Sequence, residues 1–116
     1  MTLIKYFYKK GTLKRKVLDI KDDISKLVKQ YCPESFFIFW YGAYDIDPKN
    51  LVYWVCVKTD KIKLDLQRNE KLKTELRQII IDNEYPKDVQ DAVYIDFESQ
   101  QTVDKESNGN WYIHFK

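Results

Sequence analysis

At 116 residues, with 44% apolar and 33% charged side chains, the chain has the make-up of one globular domain, residues 1–116, and leaves little room for two. Aromatics reach 16%, which excludes the aromatic-poor composition of a disordered segment. The net charge of +2 is unevenly spread: residues 1–16 hold Lys5, Lys9, Lys10, Lys14, Arg15 and Lys16 and no acid, whereas residues 82–106 hold eight acids against Lys87 and Lys105.

Residues 1–10 are open to two readings, a first strand or a short helix ended by Gly11. From Leu13 the pattern is plain. Leu13, Val17, Ile20, Ile24, Leu27, Val28 and Tyr31 recur in steps of three and four, which predicts one helical stripe, and Pro33 ends it. "SFFIFWYGAY" is short and densely aromatic, as in a strand buried on most of both faces. "DIDPKN" is a turn, and "LVYWVCVK" is the next strand, so the two form an antiparallel hairpin.

Thr59 or Asp60 then caps a helix over about residues 60–83, interrupted near Asn69. The strict alternation of "KIKLDLQ" leaves open an extension of the preceding strand through Gln67. "AVYIDFES" alternates Val93, Ile95 and Phe97 against Tyr94, Asp96 and Glu98. "NWYIHF" alternates in the same way, with Trp111, Ile113 and Phe115 inward and Tyr112 and His114 outward. The expectation is an α+β two-layer sandwich: a mainly antiparallel sheet of about four strands with two helices packed on one face. Leu27, Val55, Leu76, Ile95 and Ile113 are expected in its core.

Catalytic signals are sparse. Cys32 and Cys56 form no C-x-x-C pair, and Cys56 reads as a small buried hydrophobe. A signal-peptide layout and an apolar run of membrane-spanning length are both missing, so a cytoplasmic chain with reduced thiols and no membrane partner is expected. His114 is the single histidine and reads as a surface residue. A relay with Ser99 and Asp104 needs a nucleophile motif that does not surround Ser99. Asp96 and Glu98 lie about 7 Å apart on one strand face, a spacing open to a divalent metal or acid–base work and equally to solvation. HExxH, EF-hand, P-loop and GxGxxG patterns are absent, so neither cofactor nor metal is expected. The basic run "KKGTLKRK" and the aromatic strands keep a nucleic-acid or small-ligand binder as the alternative, although Asp96 and Glu98 on the sheet face oppose phosphate. A metal-dependent enzyme ranks below it.

The segment after the third strand is a structured loop. Ser99 caps a helical turn through Thr102 and Val103, with Val103 anchoring it, and the chain then reaches the Asn108-Gly109 turn. The segment is either a plain hairpin connection or a surface for a protein partner, which would bring Glu98, Asp104 and Glu106 together with Trp111 or Tyr112 beside them. Asp45 and Asp47 in the hairpin loop form a second acidic candidate. The segments "VYWVCVKTD" and "FESQQTVDKESNGNWYIHFK", in roughly the second half of the chain, resemble immunity proteins of bacterial toxin systems, including those of contact-dependent growth inhibition. The resemblance implies a non-catalytic cytoplasmic inhibitor that binds and neutralises one cognate toxin domain. It transfers no individual residue role.

Overall fold

The stripe from Leu13 onward folds as its spacing predicts. In the computed structural model, which describes residues 4–115, helix α1 runs Leu13–Lys29 and the Thr12 side chain accepts the Arg15 amide as its N-cap. Val17, Ile20, Ile24 and Val28 are fully buried along its inner face. Ile4–Phe7 form a single 3-10 turn, so this part of residues 1–10 is helical. The first three residues lie outside the described ones.

Strands β1 (Phe37–Tyr41) and β2 (Val52–Val57) pair antiparallel, Phe39 opposite Trp54. The hairpin turns at Gly42, whose φ is 113° and whose missing Cβ would stand 2.0 Å from the Asn50 carbonyl oxygen. Helix α2 (Asp60–Gln67) starts at a Thr59 cap, and α3 (Glu70–Asp82) restarts at Asn69, whose side chain accepts the Leu72 amide at 3.0 Å. The helical reading of 60–83, with its break, therefore prevails over the extended strand. Capping at Thr59 ends the ladder, and Leu66, Leu72, Leu76 and Ile80 are buried at helical spacing.

Strand β3 (Tyr94–Ser99) lies beside β2 and parallel to it, giving the order β1-β2-β3. The sheet thus has three strands and is mixed, where about four and mainly antiparallel were expected. The physical reason is the crossover. The helical connection of α2 and α3 returns the chain to the end of the sheet where β2 began, and the Tyr94 amide donates to the Leu51 carbonyl at 3.1 Å.

The expected fourth strand is helical. Ser99 caps α4 (Gln100–Ser107), as anticipated, and Val103 is fully buried beneath it. Asn108 (φ 51°) and Gly109 (φ 78°) close that helix. The Asn110 side chain then caps a last turn, α5 (Trp111–His114), by accepting the Ile113 amide at 3.0 Å. Lys116, the last residue of the expected strand, lies outside the described residues. Trp111 and Phe115 are four residues apart, a spacing that suits a strand face and a helix face equally. Ile113 distinguishes the two readings. It is 57% exposed, whereas a strand would have turned it inward with its neighbours. Of the other expected core residues, Val55 and Leu76 are buried, and Leu27 and Ile95 pack half-buried against the core.

Register gives the sheet two distinct faces. Tyr53, Val55, Val57 and Phe97 face the core with α1 and α3, and Tyr53 donates its hydroxyl to the Val17 carbonyl at 2.5 Å. The opposite face is a grid of Phe37, Phe39 and Tyr41 from β1, Val52, Trp54 and Cys56 from β2, and Tyr94, Asp96 and Glu98 from β3. The rims also differ. At the start of β3 the Arg77 guanidinium donates to the Val93 carbonyl at 2.7 and 2.8 Å, and within it Gln67 donates to the Phe97 carbonyl at 3.3 Å. No side chain of the described residues caps a β1 carbonyl in this way.

Candidate surface of the C-terminal helices

Aromatic side chains at alternate positions of β1 leave a ring-lined face, and α5 lies across it. Phe115 stacks on Trp54 (centroids 4.7 Å apart, planes 20° apart) and on Phe39 (5.5 Å, 22°). Trp111 meets Phe37 edge-on at 5.2 Å and donates its indole N–H to Gln100 at 2.6 Å. Phe39, Tyr41, Tyr112 and Phe115 line an open cleft of about 230 Å³. Phe37 and Tyr41, expected to be mostly buried, are 46% and 37% exposed at the two ends of β1.

A polar chain clamps α5 in place. Against expectation, His114 is no surface histidine. Its side chain is 11% exposed, with Nε2 at 2.8 Å from Glu98 and Nδ1 at 3.0 Å from Ser107 Oγ. Three residues after Trp111, it shares the inner side of the turn. Glu98 also accepts from Lys63 Nζ at 3.0 Å and from the Ser99 amide at 2.9 Å. Burial alone would raise the Glu98 carboxyl, but the bonds from His114, Ser99 and Lys63 outweigh it and hold its pKa below the ordinary value. An ionised carboxylate only accepts, so Nε2 carries a proton and donates to Glu98. Lys63 donates further to Thr102 at 2.9 Å, and Thr102 to Asp60 at 2.7 Å. Ser99 is fully buried and donates its hydroxyl to Asp60, not to His114.

The connectivity Ser107–His114–Glu98 is that of a nucleophilic relay, built from a different serine and a different acid than the sequence offered. Neither Ser107 nor His114 lines any of five surface clefts of about 170–470 Å³. The relay acts as a clasp between α4, α5 and β3. Cys56, on the floor of a cleft of about 390 Å³ with Phe37, Gln100 and Asp104, has its thiol pushed up to about 12 by burial and by Glu98. At neutral pH it is an inert thiol. Among the described residues no group of three or more His, Cys, Asp or Glu is placed to hold a metal ion. None of their helices is long and apolar enough to cross a membrane.

The acids named from the sequence separate into three settings. Asp104 and Glu106 are exposed on α4, with Tyr112, 72% exposed, on α5 beyond them. Glu98 does not join them at the surface, since its side chain is 13% exposed and already committed to Lys63 and His114. Asp45 and Asp47 sit in the hairpin loop with Ile46, 84% exposed, between them. Asp47 caps the 3-10 turn Pro48–Asn50 through the Lys49 amide at 3.1 Å. Sequence reasoning missed Lys63, Ser107 and the Phe115–Trp54 stack. The spacing Trp111–His114–Phe115, which also marks one side of a helical turn, was the available signal.

No family model matches this chain, and no curated protein or solved structure does.

Proposed function

We propose that this protein is a non-catalytic binding module that captures and neutralises a cognate toxin domain, in the manner of an immunity protein. The observation that carries the reading is the exposed apolar ridge of Tyr112 and Ile113, 72% and 57% exposed, beside the exposed acids Asp104 and Glu106. Apolar anchors beside a charged rim are the anatomy of a protein interface, and the acids favour a basic partner. The clasp of His114 on Glu98 supports it further, because a preformed surface loses less entropy on binding.

Reading the genes on either side of this one for a secreted toxin-like reading frame, and expressing it with and without the chain, tests the proposal, and the absence of such a frame counts against it. Relief of growth arrest and a one-to-one complex by light scattering support it. Continued toxicity with the inhibitor abundant and folded overturns it.

A further inference from the structure

We infer that the cleft of Phe39, Tyr41, Tyr112 and Phe115 is an aromatic cage for a guanidinium group, the arginine anchor of a basic partner. The inference rests on the binding-module reading and names the group that reading leaves open. The cleft, about 230 Å³, is lined only by aromatic residues. Three of the ring centroids form a near-equilateral triangle, with Phe39–Phe115 at 5.5 Å, Phe39–Tyr41 at 5.6 Å and Tyr41–Phe115 at 6.3 Å. Phe39 and Phe115 stack on each other and Tyr41 tilts against both (54° and 34°), so a flat cation in the cleft lies against the rings of this cluster and meets a π-face where one is turned to it.

Charge around the cage points the same way. Trp54, which stacks on Phe115, has Phe39 on one side in the sheet and Asp96 on the other. Asp96 accepts from the Tyr94 hydroxyl at 2.8 Å, Gln67 at 3.2 Å and its neighbouring amide at 2.8 Å. These donors are neutral, and no Lys, Arg or His of the described residues forms an ion pair with Asp96. Glu98, the other acid on this face, is balanced by Lys63 and hydrogen-bonded to His114. Among the described residues, Asp96 is thus an acid on this sheet face without an ion-pair partner, one strand beyond Trp54 from Phe39. The flat, weakly hydrated guanidinium stacks on rings and bonds to phenol oxygens, which an ammonium does less well. At the rim, Tyr41 Oη accepts the Trp54 indole N–H at 3.3 Å, which couples that indole to the occupancy of the cage.

The test uses the full chain, 15N-labelled, and three short peptides alike except for a central arginine, citrulline or norleucine. The arginine peptide should give saturable shifts at the Trp54 indole N–H, and the citrulline peptide should bind at least fivefold more weakly. Tyr41→Leu and Tyr112→Leu should each weaken the arginine peptide at least fivefold, while Ile81→Ser on α3 leaves it unchanged. Equal binding of arginine and citrulline, a preference for norleucine, or no saturable shift at Trp54 overturns the cage. A toxin complex that persists when the cage variants are used removes the cage and leaves the binding-module reading intact. Arginine-selective binding by a chain that fails to relieve toxicity does the reverse.

Discussion

Phe115 lies nearly flat on Trp54, 4.7 Å between ring centroids, and this contact joins the last helical turn to the central strand. Phe115→Ala should lower stability by about 1–3 kcal/mol, the loss of a partly buried ring and its stacking. The near-UV dichroism of Trp54 and Trp111 should weaken with it. Ile113→Ser should change stability by no more than about 0.5 kcal/mol, because that side chain is exposed. A large loss for Ile113→Ser would restore the strand reading of "NWYIHF".

Acid should loosen the clasp. The folded-state pKa of Glu98 lies below its ordinary value of 4.5. Its contribution is therefore complete above about pH 4.5 and is lost as pH falls through the lower folded value. Urea unfolding at steps from about pH 6 to pH 3 should show wild-type stability falling more steeply below pH 4.5 than that of Glu98→Gln. Asp22 and Asp60 are shifted in the same direction, so the difference between the two proteins isolates Glu98.

Charge reversal separates the acids by role. Asp104→Lys with Glu106→Lys should leave the melting temperature nearly unchanged, since exposed charges contribute about 0–1 kcal/mol per pair. Association with a basic partner should slow by about tenfold or more at low salt. Glu98→Lys should instead disrupt the fold locally, by setting a cation against Lys63 and His114. Reversing Asp45 and Asp47 should cost about 1 kcal/mol through the lost Asp47 cap and leave association less affected. If it abolishes binding while the Asp104/Glu106 pair does not, the hairpin loop is the interface.

Gly42→Ala should destabilise by more than about 1 kcal/mol, because a Cβ there meets the Asn50 carbonyl at 2.0 Å on a positive-φ backbone. The same change at Gly11, where the added atom meets nothing within 4 Å, should cost less. Equal midpoints in thermal melts of the two variants would remove the steric account of the hairpin.

Helices α1 to α4 were legible because their signals are local. The stripe of Val17, Ile20 and Ile24, and the caps at Thr59, Asn69 and Ser99, each depend on residues a turn away. The direction of β3 was not, since Val93–Phe97 alternates identically whether β2 runs with it or against it. "NWYIHF" failed for a different reason: Trp111 and Phe115 fit both periods, and the deciding residue, Ile113, looked like core by composition alone. His114 and Glu98 are sixteen residues apart and meet only because that turn is helical, so an error in one element concealed the clasp and left Glu98 among the surface acids.

The unequal finishing of the sheet's rims gives self-association a direction. Arg77 and Gln67 occupy the carbonyls of Val93, just before β3, and of Phe97 within it, which another strand would need, and Asp96 and Glu98 place charge along that strand. The β1 rim carries Phe37, Ile38, Phe39, Trp40 and Tyr41, none of them charged or proline, and the one cation set against them is Lys21 over the Trp40 ring at 5.4 Å among the described residues. Concentrated or partly heated protein should therefore join edge to edge through β1, and a lysine in place of Phe37, 46% exposed at one end of the strand, should raise the concentration at which this begins. The strand is five residues long, so each junction is short and should part again on dilution.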